Sequence, residues 1–184
     1  MIEVTHGPCL VDNNIFTSPY TFDNAAQGTA FVHNLICGFH NHYSVLDRAT
    51  PYHLPHSTEI AGMSLVYGND DRWYQNIFIG GQVADRNYGT ADYDGAPTSI
   101  DDYISQVKAL GHGDVQLFAK IPQPAYINNN VYLSGAKAFC DEQNRYTSDE
   151  DASIAIIEKE EGVYLQSALP HGALSLPVSY THLT

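Results

Sequence analysis

The first half of the chain repeats a short pattern of apolar residues around a polar one. The pattern occurs in CLVDNNIFTS (9–18), TAFVHNLICG (29–38) and DRWYQNIFIGG (71–81). Each copy has an asparagine at the same place, and these asparagines, 20 and 42 residues apart, are Asn14, Asn34 and Asn76. Because the second interval is about twice the first, we predict a repeat of roughly 21 residues with one irregular copy in between, centred near residue 55.

Apolar columns flank the repeated asparagine. Three positions before it stand Val11, Phe31 and Trp73, and one position after it stand Ile15, Leu35 and Ile77. If the coils of a solenoid stack at about 4.8 Å, we expect both columns to face one interior. Asparagine suits a tight turn because it tolerates the left-handed conformation, and its amide can bond to the next amide as a ladder. The pattern therefore predicts a parallel β-helix, and the alternative is a chance similarity among short strands.

The stretch TPYHLPHSTEIAG (50–62) would occupy the irregular coil. It contains two prolines and almost no apolar periodicity. Proline lacks a backbone donor and pushes the preceding residue toward an extended conformation, which predicts a fixed, kinked path. Solenoids give up regular packing where loops carry function, so we expect this path to border a groove. The side chains expected there are His53, His56 and Glu59, beside Asp70, Asp71 and Arg72 of the following coil.

The pattern changes after Gly81. Residues 85–97 predict an irregular connection, and TSIDDYISQVKALG predicts a short helix with Ser99 and Asp102 as its capping pair. Four later segments predict strands, and the last two would form a hairpin: VQLFAK (115–120), NNVYLSG (129–135), ASIAIIEK (152–159) and VYLQSAL (163–169). We therefore predict β-helix coils at 1–84, the connection at 85–97, and a helix with part of an antiparallel, sandwich-like module at 98–173.

Composition narrows the classes of partner. The 184 residues are 43% hydrophobic, and 8 Lys and Arg against 21 Asp and Glu give a net charge of −13. This charge repels phosphate backbones and anionic lipids, so we expect neither nucleic acid nor membrane surfaces as partners. No apolar run approaches the roughly 18 residues that cross a bilayer, and the N-terminus lacks the pattern of a signal peptide. Neutral sugars meet no such repulsion, and the 13 Tyr and 9 His offer rings and hydrogen-bonding groups for them.

Glu59 and the pair Asp70-Asp71 suit the chemistry of glycoside hydrolysis. That reaction uses two carboxyl groups about 5–5.5 Å apart for retention, or roughly 6.5–9.5 Å apart for inversion. Side chains on adjacent or next-but-one coils lie about 4.8 or 9.6 Å apart and can meet either requirement. Arg48 and Arg72 could keep one carboxylate ionised while burial raises the pKa of another. The alternative is a local turn in which Asp70 bonds to Arg72, and spacing alone does not choose between them.

Five of the nine histidines cluster in sequence: His33, His40, His42, His53 and His56. They could be exposed loop residues or the wall of a polar ligand cleft. A metal site would need closely spaced ligands beside a carboxylate, which His40-Asn41-His42 meets only loosely, and the three cysteines form no CxxC pair. We therefore predict no metal and no cofactor. For a ligand cleft, the expected substrate-binding side chains are His33, Arg48, His53, His56, Asp70 and Arg72.

Longer motifs carry a family resemblance over residues 8–81. The segments LVDNNIF, GTAFVHNLICG, RATPYHLPHSTEIAG and GNDDRWYQNIFIGG resemble bacterial right-handed parallel β-helix proteins related to glycoside hydrolase family 141. NNVYLSGAK and EKEEGVYLQ are similar to the β-rich module that follows the helix in such proteins. The resemblance implies an all-β, right-handed parallel β-helix and an extracytoplasmic enzyme that acts on plant or host glycans. In VDNN, HSTEIAG and NDDRW it implies catalytic carboxylates at Asp12, Glu59 and Asp71.

Members of that family are far longer, so the resemblance also implies that this chain holds the last coils and part of the C-terminal module. The ending SLPVSYTHLT resembles a translated sequencing-adapter read-through, and we predict that residues 174–184 are not native. Three hypotheses follow: part of a glycan-active hydrolase, a non-catalytic β-helix that binds glycan or presents a surface, and an incomplete chain without activity of its own. No specific protein partner is predicted.

Overall fold

The computed structural model describes residues 1–53, 59–81, 83–109 and 123–170, which form mainly short strands. The first half contains β1 (Ile2–Glu3), β2 (Cys9–Asp12), β3 (Ile15–Phe16), β4 (Tyr20–Ala25), β5 (Thr29–Val32), β6 (Leu35–Ile36), β7 (Phe39–His42), β8 (Val45–His53), β9 (Ile60–Val66), β10 (Arg72–Tyr74) and β11 (Ile77–Ile79). The second half contains a 3₁₀ turn (Ala91–Tyr93), α1 (Ile100–Ala109), β12 (Tyr126–Asn128), β13 (Val131–Leu133), β14 (Tyr146–Ser148), β15 (Ala155–Lys159) and β16 (Gly162–Gln166).

Most strands pair in parallel in three stacks, which form the sides of the coils. Sheet A contains β1, β4 and β7, sheet B contains β2, β5, β10 and β12, and sheet C contains β3, β6, β11, β13 and β14. Phe31 pairs with Val11 on one side and with Trp73 on the other, as the repeat predicts. The prediction of an all-β fold built on a parallel β-helix is confirmed.

A ladder of asparagine amides runs through the coils between sheets B and C. The Oδ1 of Asn76 accepts bonds from the backbone N–H and the Nδ2 of Asn34, both at 3.0 Å, and Asn34 accepts the same pair from Asn14. The ladder continues to Asn130, which the sequence repeat missed, and ends on the carboxyl of Glu142. The predicted amide ladder is confirmed. At each of these turns the residue just before the ladder asparagine has the left-handed backbone conformation, with φ of 56–59°: Asn13, His33, Gln75 and Asn129.

The prediction of a missing coil near residue 55 is wrong. β5 pairs directly with β10 and β6 with β11, and Asn34 bonds directly to Asn76, so no coil lies between these neighbours. The extra residues instead form the antiparallel hairpin β8–β9, which leaves the coil after β7. Of TPYHLPHSTEIAG, residues 50–53 belong to β8 and residues 60–62 to β9, while residues 54–58, including His56, are outside the described residues.

The column before the asparagine faces the interior, as predicted. Phe31 and Trp73 are fully buried, with their ring centroids 3.8 Å apart. For the column after the asparagine the prediction is wrong, since Ile15 is 55% exposed and Leu35 and Ile77 are half-buried in a separate cluster. The ladder asparagines point inward, so the next residue in each strand faces outward and the one after it inward. The interior column is Phe16, Ile36, Phe78 and Tyr132.

The segment NNVYLSG is a β-helix strand, so its prediction as part of an antiparallel module is wrong. β12 and β13 pair in parallel with β10 and β11, and β14 pairs in parallel with β13. A long insertion after β11 separates this coil in sequence from the previous one. For this reason the spacing of the repeat did not reveal the fourth asparagine, Asn130. The hairpin β15–β16 is antiparallel, as predicted.

The insertion contains the predicted helix. α1 begins after Ser99, whose Oγ accepts the backbone N–H of Asp102 at 3.1 Å, which confirms the capping prediction. No helix among the described residues is long and apolar enough to cross a membrane. The predicted strand at 115–120 and the C-terminal segment 174–184 lie outside the described residues.

Candidate functional site

An open groove lies at the C-terminal ends of the sheet A strands. β7 alternates its side chains, so His40 points into the core while Phe39 and Asn41 face outward, and Tyr43 follows directly. Two cavities adjoin at Tyr43, which lines both of them. We name this surface the sheet A groove. The smaller cavity, of about 240 Å³, includes Glu3, Tyr43, Asp47 and Arg48, and the larger, of about 580 Å³, is lined by Asn41, His42, Tyr43, Arg86 and Asp92.

Aromatic rings and a hydrogen-bonded carboxylate lie on sheet A beside this groove. Tyr20 is 43% exposed and Tyr43 is 39% exposed, and the Tyr20 ring packs on Phe39 with centroids 5.2 Å apart. The Tyr20 hydroxyl bonds to Asp23, which raises the pKa of Tyr20 to about 12 and lowers that of Asp23. Asp23 also accepts the Nδ2 of Asn41 at 2.9 Å. The groove and the part of sheet A beside it therefore offer ring faces and an ionised acceptor to a hydroxyl-rich ligand.

The floor of the larger cavity is held by the insertion after β11. The His42 ring stacks on Tyr93 of the 3₁₀ turn, with centroids 4.4 Å apart, and its Nε2 lies 2.9 Å from Asn69 Oδ1. Burial lowers the pKa of His42, so the ring is neutral at neutral pH. Arg86 comes from the same insertion and lies over the Phe39 ring at 4.9 Å. The cavity is thus assembled from segments far apart in sequence.

Asp71 lies beneath the groove in the core. It is fully buried, and its carboxyl accepts Asn24 Nδ2 at 2.8 Å, the Tyr93 hydroxyl at 2.8 Å and the Thr29 backbone N–H at 3.0 Å. Burial raises the pKa of Asp71 to about 7 despite these three donors. The carboxyl joins β4, β5 and the 3₁₀ turn. This geometry favours a structural role over direct contact with a substrate.

Asp70 and Arg72 lie elsewhere, on sheet B. Arg72 Nη1 is 3.2 Å from Asp70 Oδ1, and the guanidinium lies over the Tyr126 ring at 4.8 Å. Arg72 Nη1 also bonds to the Asp70 carbonyl, and Asp70 has φ of 51°. This is the local turn that we gave as the alternative to a catalytic role.

The remaining predicted residues are dispersed. Asp12 is exposed at the end of β2 and accepts a hydrogen bond from Asn13 Nδ2. The His33 Nε2 is 2.5 Å from Gln75 Oε1, in the turns that connect sheets B and C. Glu59 is exposed just before β9, while the side chains of His53 and His56 are outside the described residues. Of the predicted side chains that the structure describes, Arg48 lines the sheet A groove, where it pairs with Glu3 at 3.5 Å.

His40 is a core residue. Its ring is 2% exposed and stacks on Phe22 and Trp73 with centroids 5.3 and 4.9 Å away, and burial lowers its pKa to about 3. His40 and His42 therefore do not act as a ligand pair. Among the residues that the structure describes, no group of three His, Cys, Asp or Glu side chains could hold a metal ion.

Sequence reasoning missed most of the groove. The alternation in FHNHY (39–43) was a usable signal, because residues at every second position of a strand share a face. It would have placed Phe39, Asn41 and Tyr43 together. No short-range signal placed Arg86 and Asp92 opposite β7, since both belong to an irregular connection.

Comparison with known proteins supplies a close structural relative. No family model and no curated protein matches this chain. A solved structure of XylC in complex with xylose matches it with a TM-score of 0.83 and 47% sequence identity. The chain is similar to XylC. The match covers 91% of this chain and 26% of XylC, so the chain spans about a quarter of that protein. Membership of glycoside hydrolase family 141 stays a prediction.

Proposed function

We propose that this chain is part of a glycan-active protein and that its sheet A groove binds a xylose-containing glycan. The observation that carries the proposal is the exposed ring of Tyr43 between two adjoining cavities. It is supported by the 47% identity to XylC, whose structure holds xylose. A sugar presents C–H groups on its ring face and hydroxyls around its edge, and a site for it needs an aromatic surface beside polar groups.

The chemistry proposed for the longer protein is glycoside hydrolysis. Acid–base or nucleophilic chemistry at a glycosidic bond needs two carboxyl groups that face the bound sugar. In the described part of the groove, the cavity-lining carboxyls are Glu3, Asp47 and Asp92. Glu3 is paired with Arg48, which leaves Asp47 and Asp92 as the better candidates. Asp12 and Glu59 remain proposals from the family resemblance, as does an extracytoplasmic location.

Replacing Tyr43 with Ala is expected to weaken binding of xylotriose by about tenfold or more, because the ring loses its contact with the sugar face. Tyr43→Phe keeps the ring and should retain most of the affinity. Isothermal titration calorimetry with the full chain measures both variants. Tyr164→Ala is the matched control, since Tyr164 is 44% exposed but lies on the hairpin β15–β16.

Unchanged affinity in Tyr43→Ala would contradict the proposed groove. Binding of xylotriose without turnover, in the longer protein as well as in this chain, would assign a non-catalytic, glycan-binding role. Release of xylose by the longer protein, lost on replacing Asp47 or Asp92 with Asn, would support hydrolysis.

A further inference from the structure

Arg86 gives the larger cavity of the sheet A groove a cation that has no ion-pair partner among the described residues. The ion pairs among the described residues are Arg48 with Glu3 and Arg72 with Asp70, so Arg86 and Asp92 are not paired although they line the same cavity. Arg86 also makes no side-chain hydrogen bond within the described part of the chain. Arg86 is exposed, so its guanidinium is accessible to a ligand in this cavity.

The Phe39 ring holds the Arg86 guanidinium by a cation–π contact. The centre of the guanidinium lies 4.9 Å from the ring centroid, and within the described part of the chain its N–H groups donate no hydrogen bond, so they are available to a ligand. Asn41 lies beside it, with its Nδ2 held by Asp23 so that the amide oxygen is left as an acceptor. Preorganised donors of this kind match a carboxylate, which accepts two parallel N–H bonds from one guanidinium.

We propose that the larger cavity accepts a glycan that carries a carboxylate, namely a uronic acid attached to a xylose-containing chain. The carboxylate binds the Arg86 guanidinium, a sugar ring contacts Tyr43, and the Asp92 carboxylate and the Asn41 amide oxygen accept sugar hydroxyls. This inference rests on the proposed glycan-binding function. The net charge of −13 opposes the binding of any anion, so the contacts with the sugar must supply part of the affinity for an acidic glycan.

The test compares two probes on the full chain by calorimetry: unsubstituted xylotriose, and xylotriose that carries one glucuronic acid. We expect the acidic sugar to bind about tenfold more tightly at low salt, with the difference shrinking as salt is added. Arg86→Gln should remove this preference, so that it lowers the affinity for the acidic sugar by more than the affinity for neutral xylotriose. Lys159→Gln is the matched control, because Lys159 also lies over a ring, that of Tyr164 at 5.0 Å, but on another hairpin.

Equal affinities for the two sugars in the wild-type chain would overturn this inference while leaving the proposed function standing. An equal loss of affinity for both sugars in Arg86→Gln would overturn it too, since Arg86 would then stabilise the groove and not recognise the carboxylate. If neither sugar binds, the proposed function and the inference both fail. A preference for the acidic sugar that Arg86→Gln abolishes and Lys159→Gln preserves supports the inference.

Discussion

Replacing Asn76 with Ala should lower the free energy of unfolding by about 3 kcal/mol or more, since buried groups that lose their partner cost about 1–3 kcal/mol each. Asn76 is fully buried in the middle of the ladder. Its Oδ1 accepts two bonds from Asn34, and its Nδ2 donates to the Phe31 carbonyl and to Asn130 Oδ1. Alanine removes all four bonds, although Asn130 Oδ1 keeps the backbone N–H of residue 76 and Asn34 Nδ2 keeps the Val11 carbonyl. For a chain of this size the melting temperature should fall by roughly 10 °C.

Asn14→Ala is the matched control for this effect. Asn14 occupies the same place in the first coil, where it is exposed and where water can replace its lost bonds. We expect a loss under about 1 kcal/mol, the usual net value of an exposed hydrogen bond. Chemical denaturation measures both variants. Equal losses in the two variants would show that the ladder does not stabilise the coils through buried amide bonds.

Asp71 should make the stability of this protein fall as the pH rises from about 4 to about 7. Its pKa is raised from 3.8 to about 7 in the folded chain by burial. The folded state therefore binds this proton more tightly than the unfolded state, and the resulting stability is complete below the unfolded pKa and lost as the pH passes the folded pKa. Since one pKa unit corresponds to about 1.4 kcal/mol, the loss is on the order of a few kcal/mol.

The difference between wild type and Asp71→Asn isolates this contribution. Asparagine is neutral at every pH, so the variant lacks the decline, although it loses one acceptor for the bonds from Asn24, Tyr93 and Thr29. We expect wild type to lose stability relative to Asp71→Asn between about pH 4 and pH 7, and the difference to stay constant above that range. Urea denaturation across this range measures it. A difference that is independent of pH, or that grows in favour of wild type, would contradict the raised pKa.

Parts of the site could be predicted from sequence, but its location could not. Arg48 was expected near a ligand and lines the sheet A groove, whereas Asp12, His33, Asp70 and Arg72 lie on other sides of the coil. The error came from assuming that the residues between Asn34 and Asn76 include one additional coil. The hairpin β8–β9 stands in its place, so the residues after the hairpin lie one coil closer to β5 and β6 than the repeat suggested.

The sequence by itself determined the parallel β-helix, because stacking of identical turns needs the same residue at the same place in each coil. The sequence shows this repetition in the asparagines Asn14, Asn34 and Asn76 and in the aromatic pair Phe31 and Trp73. Tertiary structure alone decided the rest. Asn130 joined the ladder across a long insertion, Asp71 became a buried acid, and Arg86 and Asp92 reached Tyr43. These contacts depend on how the irregular segment between β11 and β12 folds back on the coils, which no periodic pattern encodes.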